Sequence, residues 1–402
     1  MLFTHDLIAT LGVACLIAGC GYEVMALLAV LVWKLRRSQP AVVPVTSPAV
    51  TLLKPLCGAE DRLYENLRSF FLQEYPGYQI VFGVRDAADP AIGIVERLVK
   101  EFPDVPTMLV VNAQQHGSNR KVSNVINMLP YARHDVLAIV DSDAQVDETY
   151  LSKITTALAQ DGVGLVTCTY RSVPADGLWS RLGAMYINDW YIPSVLLAWL
   201  FGHRGFASGQ TLCLHRCTLE SIGGLLPIAN HLADDYELGE RVRKTGLRTV
   251  LCDYVTRTEH NEPTLDHLLD HEIRWMRTIR ALQPQGFRFL FVSFSLPLAF
   301  LGAALLLSLP ALGTLSLTVF AMTLIARLTL YAAARWGDER LDFSDLWLVP
   351  TRDLLMLWVW WRALRTSHVT WRGHEFSVDT HGVMRILEVD SVCPPRATNL
   401  TD

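Results

Sequence analysis

Two textures divide the chain. Long unbroken apolar runs stand near both ends, and between them short apolar runs alternate with amphipathic stretches. Leu7 to Trp33 is apolar over a length that spans a bilayer with tilt. It lacks a preceding basic region and a small-residue cleavage site, so it does not read as a signal peptide. Lys34, Arg36 and Arg37 follow at once, which puts that end in the cytoplasm. Glu23 lies within the run as either a functional carboxylate or a hydrogen-bond partner for a neighbouring span. Residues 38–50, with Pro40, Pro44 and Pro48, read as a linker.

A regular alternation then begins. Strands are expected at Thr51–Leu56, Tyr78–Val84, Thr107–Val111, Val136–Val140 and Gly164–Tyr170. Helices are expected between them at Arg62–Gln73, Pro90–Lys100, Ser118–Leu129 and Asp147–Ala159. Such βαβα order predicts an α/β domain with a mostly parallel sheet covered by helices. Tyr186–Phe201 is apolar and aromatic, an interfacial segment under the bilayer or a core helix. An Arg-dense helix runs from His271 to Arg280. Phe289–Leu309 and Leu312–Arg335 read as two spans around Pro310, and Trp347–Trp361 as a last span, a re-entrant segment or an interfacial helix, since it carries Arg352 and Asp353. The expected organisation is therefore a membrane helix (1–37), the linker (38–50), a cytosolic domain (51–285), membrane or interfacial helices (286–365) and a tail (366–402).

Composition agrees with that division. The chain has 402 residues, 51% hydrophobic and 19% charged, with mean hydropathy +0.25. That is too apolar for an ordinary soluble domain and too charged for a protein wholly within the membrane. A net charge of -5 argues against nucleic acid as a partner. The eight cysteines are scattered without a CxxC pair, and read as reduced thiols in a cytosol-facing protein.

The chemistry centres on Val136-Leu137-Ala138-Ile139-Val140-Asp141-Ser142-Asp143. Ligands of open α/β sheets bind beyond the carboxyl ends of the strands. Asp141 and Asp143, two residues apart in extended chain, share one face there and can hold Mg²⁺ or Mn²⁺ against substrate phosphates. Other polar groups fall at comparable places. Lys54 and Gly58 end the first strand, Asp86 ends the second and Asp89 follows. Gly117-Ser118-Asn119-Arg120-Lys121 opens a helix whose N–H groups and lysine can meet phosphate. Asp234-Asp235 and Arg274-Trp275 come later. Singly, each has an ordinary explanation as a cap, a surface pair or a cation beside the membrane.

In this order, before paired apolar segments, they resemble nucleotide-sugar glycosyltransferases of the GT-A fold, and more closely glycosyltransferase family 21, the ceramide glucosyltransferase-like group. The matching text is KPLCGAEDRLYENLRSFF, VRDAADPA, GSNRKVSNV, VDSDAQV, ADDYELGE, IRWMRT and WRGHEF, spread over residues 51–376. Within the group the text is most similar to bacterial hopanoid-biosynthesis glycosyltransferases. The family's Q/RxxRW motif begins with His271 here, so only Arg274 and Trp275 carry over.

The resemblance implies that Asp86 contacts the uracil or ribose of a UDP-sugar. Lys54, Lys121 and Asp141 would serve the donor, and Asp141 and Asp143 would hold Mg²⁺ or Mn²⁺. Asp235 would be the general base, and Arg274 and Trp275 would hold the leaving diphosphate and close the acceptor site. Transfer by single displacement would invert the anomer. The implied reaction moves N-acetylglucosamine from UDP-N-acetylglucosamine to bacteriohopanetetrol, with UDP-glucose to ceramide as the alternative and a polyprenyl-phosphate acceptor behind both. The implied location is a bacterial inner membrane, crossed several times, with the catalytic domain cytosolic. A transporter or receptor with a nucleotide-binding domain is the competing class, with Glu23, Arg327, Arg352 and Asp353 as its candidate polar path.

Overall fold

The computed structural model describes residues 2–37, 47–203, 207–309, 311–336, 343–365, 368–371, 374–378 and 382–386. Most of the expected linker and Pro310 lie outside the described residues.

The first helix, α1 (Leu2–Arg37), is followed by β1 (Val50–Pro55), α2 (Leu63–Phe71), β2 (Tyr78–Val84), α3 (Ala91–Glu101), β3 (Thr107–Val111), α4 (Arg120–Met128) and β4 (Val136–Ile139). The strands β3, β2, β1 and β4 lie side by side in that order, all parallel. Both faces of this half-sheet are covered, which is why its strands are continuously apolar rather than alternating. Leu52, Ile80, Val136 and Ala138 pack with Leu67, Phe70, Val95 and Leu98 of α2 and α3. Their chain neighbours Leu53, Val81, Leu137 and Ile139 face the other way, onto Val122, Val125 and Met128 of α4.

Next come β5 (Ala144–Gln145), α5 (Tyr150–Leu158), β6 (Val163–Pro174), α6 (Leu178–Tyr186), α7 (Ile192–Leu200), β7 (Leu212–His215), α8 (Arg216–Ser221), α9 (Asp234–Lys244) and β8 (Arg248–His260). The sheet continues past β4 as β7, β6, β8 and β5, with β7 antiparallel to both β4 and β6. The short strand β7 and the long strand β8 are additions to the expected set. In β8 the inward side chains Thr249, Leu251, Tyr254, Thr256, Thr258 and His260 are buried while Arg248, Asp253, Arg257 and Glu259 point outward, an alternation broken once at Cys252. Its polar inward residues hid that pattern from a search for apolar runs.

The last third holds α10 (Leu265–Leu282), α11 (Pro284–Arg288), α12 (Ser295–Leu307), α13 (Gly313–Arg335), α14 (Leu348–Arg365) and a small antiparallel sheet of β9 (His368–Trp371), β10 (His374–Val378) and β11 (Met384–Ile386). Among the described residues two helices are long and apolar enough to cross a membrane, His5–Arg37 and Gly313–Arg335. The expected span Phe289–Leu309 is corrected. It breaks before Ser295 into a short 3₁₀ turn and a helix of 13 residues, which at 1.5 Å per residue reaches only about 20 Å of the ~30 Å hydrocarbon core. α12 instead lies tightly along α1. A Cβ at Gly19 would stand 2.8 Å from the Ser295 carbonyl, and one at Gly302 would stand 2.7 Å from that of Gly12. Small residues on both sides let the two backbones meet.

The charged residues among these helices pair with one another. Glu23 accepts a 2.5 Å hydrogen bond from Ser295 and lies 3.4 Å from Arg327. Arg327 also pairs with Asp353 at 2.8 Å, and Arg335 with Asp189 at 2.5 Å. Arg352 makes a two-pronged pair with Glu272 of α10 at 2.7 and 2.6 Å. The two neighbouring charges of α14 thus face opposite ways, one toward the apolar helices and one toward α10. Glu23, Arg327, Arg352 and Asp353 knit elements together rather than lining a path. Tyr186–Phe201 is buried in its first half, including Tyr186, Ile187 and Trp190, and Phe201 at its tip is 71% exposed.

Candidate active site

The carboxyl ends of the parallel strands open onto one cleft. Lys54, at the end of β1, is fully buried and donates to the Asp141 carbonyl at 2.5 Å. Burial pulls its ammonium down to about 7 against the opposing pull of Asp143 and Asp141. Asp141 follows β4, whose pairing with β1 continues through the Val140 N–H to the Leu53 carbonyl at 3.1 Å. Its carboxylate meets Lys121 at 2.5 Å.

Lys121 is presented by the first turn of α4. Asn119 caps that helix, accepting from the Val122 N–H at 3.0 Å. The Asn119 amide also donates to the His231 carbonyl at 2.9 Å, tying α4 to the segment before α9. Gly117 is required by this join: a Cβ there would meet the Ala229 carbonyl oxygen at 2.3 Å. On the α9 side, Lys121 lies 3.5 Å from Asp234. Burial opposes its charge, yet Asp141, Asp234 and Asp235 together hold it above its ordinary value.

Gly209 marks where these groups converge. A Cβ on it would stand 3.2 Å from Asp141 Oδ2, 3.3 Å from Lys121 Nζ and 3.4 Å from Asp235 Oδ2. Asp235 opens α9, where its Oδ1 accepts from the Tyr236 N–H at 2.7 Å. Burial, then the neighbouring Asp234, push its carboxyl up to about 7, while Lys121 pulls it back. Burial also raises Asp141, to about 6, with Lys121 opposing and Asp143 reinforcing. Tyr170 and Tyr191, ring centres 5.9 Å apart, stand near Asp235, and its negative charge adds to burial in raising both phenols.

Asp143 is held separately. It accepts from Gln210 Nε2 at 3.1 Å and from the Thr258 hydroxyl at 2.8 Å. The other Gln210 side-chain atom, Oε1, is buried without a hydrogen-bond partner among the described residues. Asp141 and Asp235 meet at Gly209, and Asp143, two residues beyond Asp141, is oriented by Gln210 and Thr258 with an unpartnered amide oxygen beside it. That donor set fits a hard divalent cation. Gln210 and Thr258 were missed from sequence. The first lies in a loop, and the second lay in the overlooked alternation of β8.

The remaining expected residues fall nearby in two groups. Asp86 is exposed just beyond β2, its Oδ1 accepting from the Ala88 N–H at 2.9 Å. It is Asp89 that ties the strand ends, receiving the Gly58 N–H at 3.0 Å. Trp275 and Arg274 sit on α10, where the Trp275 ring lies 4.0 Å from His271 and 5.2 Å from Tyr186. His260, two residues beyond Thr258 on the same face of β8, links this aromatic group to the strand that holds Asp143.

The chain that folds into this cleft matches a known family. The family model described as Glycosyl transferase family 21 covers residues 11–384. The chain belongs to this family. This family 21 protein is 23% identical over 335 residues to ceramide glucosyltransferase 3 of Caenorhabditis elegans, a match spanning 82% of this chain and 72% of that one. It is 23% identical over 240 residues to ceramide glucosyltransferase 1 of the same organism, where it spans about half (51%) of the relative's length. Among solved structures it is similar to the mannosyltransferase of Pyrobaculum calidifontis described in complex with GDP-Man and Mn²⁺, with TM-score 0.50, 19% identity, and coverage of 89% and 99% of the two chains. This glycosyltransferase thus shares the GT-A-like α/β fold of that enzyme.

Proposed function

We propose that this glycosyltransferase moves a hexosyl group from a UDP-sugar to a hydroxyl of a membrane lipid on the cytosolic face of a multiply crossed bacterial inner membrane, with inversion at the anomeric carbon. The observation that carries the reading is the convergence of Asp141, Lys121 and Asp235 around Gly209, where any side chain would intrude. Asp141 and Asp143 hold Mg²⁺ or Mn²⁺, an ion that, when bound, offsets negative charge on the donor diphosphate. Lys121 supplies fixed positive charge on the donor side, Lys54 holds the Asp141 backbone beneath it, and Asp86 borders the nucleoside end. Asp235 takes the proton of the acceptor hydroxyl as that oxygen attacks C1, and the C1–O bond to UDP breaks. A carboxyl poised at about 7 is suited to that task, since it is ionised in part at neutral pH and still basic enough to accept. Arg274 meets the charge of departing UDP, and Trp275 closes the acceptor side.

Two apolar helices and the exposed Phe201, Phe289 and Trp347 support a position of the cleft beside a bilayer, which suits an acceptor that keeps its chains in lipid. The ceramide glucosyltransferase relatives favour glucose and ceramide. The motif text instead favours N-acetylglucosamine and bacteriohopanetetrol. A transfer assay in detergent with both UDP-sugars against both lipids, read by mass spectrometry of the lipid extract, separates them. A hexosylceramide supports the first, a hexosamine-bearing hopanoid the second. Neither product, with no UDP release, would overturn the proposal.

A further inference from the structure

One cluster of side chains has no part in the chemistry above. His260 closes β8, Glu262 lies in the turn that follows, and His271 stands in the second turn of α10. One donor atom from each lies within 4.8 Å of the other two. His271 Nδ1 is 2.7 Å from Glu262 Oε1, a hydrogen bond. His260 Nε2 is 3.2 Å from that same oxygen but has no hydrogen-bond partner among the described residues, although His260 is only 5% exposed. A hydrogen-bonded pair therefore accounts for two of the three groups and leaves a buried ring nitrogen unsatisfied, which is costly. The surroundings hold the rings in place. The two imidazoles stack with centroids 5.5 Å apart, Trp275 covers His271, and a Cβ at Gly183 would come within 2.3 Å of His260 Nε2.

We propose that His260, Glu262 and His271 bind a divalent ion of the zinc class, at a site separate from Asp141 and Asp143. Two imidazole nitrogens and one carboxylate oxygen suit Zn²⁺ or Co²⁺, whereas oxygen-only donors suit Mg²⁺ or Mn²⁺. Ligands about 2.1 Å from one tetrahedral ion stand roughly 3.4 Å apart, against 2.7 and 3.2 Å here for the two pairs with Glu262 and no more than 4.8 Å for any pair. The ion replaces the Nδ1 proton of His271, satisfies Nε2 of His260 and leaves a fourth position to water. Its effect is to clamp three consecutive pieces of chain, fixing α10 and its Trp275 relative to the strand whose Thr258 holds Asp143.

The test uses full-length, tag-free protein in detergent, dialysed and analysed for metal, then exchanged with Co²⁺ and read by visible absorption. About one zinc per chain and intense d–d bands of a low-coordinate N/O site are expected. The double variant Asp141→Asn/Asp143→Asn keeps both signals. His271→Gln, which gives the chain the family's own residue and a side chain that still donates to Glu262, loses both. His260→Gln, altered at the nitrogen without a hydrogen bond, loses both as well and guards against a misfolded first variant. No metal above the dialysis background overturns the site, as does metal that follows the aspartate variant and persists in His271→Gln. In either case the three residues form a hydrogen-bonded cluster only.

Discussion

Removing Arg352 or Glu272 tests how the membrane-side helices are fastened to the catalytic domain. Both side chains are 0% exposed, and the pair is two-pronged at 2.7 and 2.6 Å, with a further hydrogen bond from Arg352 to the Leu182 carbonyl at 3.1 Å. In Arg352→Leu the Glu272 carboxylate stays buried with its cation gone. Losing one partner of a buried pair costs about 3–5 kcal/mol, on the order of a hundred- to a few thousand-fold in the folding equilibrium at 1.4 kcal/mol per decade. Glu272→Met strands the guanidinium in the same way. In the double variant both charges are gone, and replacing a whole buried pair by apolar groups is near neutral. Only the bond to Leu182 is lost, at about 1 kcal/mol. The single costs therefore exceed the double by several kcal/mol. Equilibrium unfolding in mixed detergent, followed by tryptophan fluorescence, measures all four corners of the cycle. Additive effects, or single variants within about 1 kcal/mol of wild type, would refute the reading of α14 as a buried strut.

Asp235→Asn should lower transfer by about 10²- to 10⁴-fold while UDP-sugar binding, measured by calorimetry, is retained; ordinary turnover in that variant would remove Asp235 as the base. The pH profile follows from the same group. Its carboxyl is raised to about 7 and the base works only when deprotonated, so the rate should fall as pH drops through and below that value, and a profile flat across it would contradict the assignment. Gly209→Ala puts a methyl group 3.2 to 3.4 Å from Asp141, Lys121 and Asp235. It should cost up to about 10²-fold in kcat/KM with an unchanged melting temperature, since small displacements at a reacting centre suffice. Excess chelator should abolish transfer, and Mg²⁺ or Mn²⁺ should restore it; full turnover without free metal would exclude a metal role for Asp141 and Asp143.

How far the chain could be read depended on the kind of signal each part carries. The strands β1 to β4 were legible because both faces are buried, so their apolar runs are unbroken. Asp141 and Lys121 were legible because they end or begin such elements. Thr258 and Gln210 were not, since a buried strand with polar inward residues leaves only alternation, and a loop glutamine leaves nothing. The apolar content of Phe289–Leu309 indicated a span, but hydropathy does not register the break before Ser295. Arg352 and Asp353 left Trp347–Trp361 undecided, because charge in an apolar run has two resolutions, solvent or a partner. Here the partners are Glu272 and Arg327, distant in sequence and brought close only by the fold.

That arrangement has a consequence for how the protein is made. Among the described helices α14 is synthesised last, so Glu272 and Arg327 leave the exit tunnel before Arg352 and Asp353 do. Until then Glu272 awaits its cation and Arg327 has Glu23 but not Asp353, so one later dipeptide completes both groups. Assembly of the apolar helices and the seating of α10 are thus completed by one event, the docking of α14.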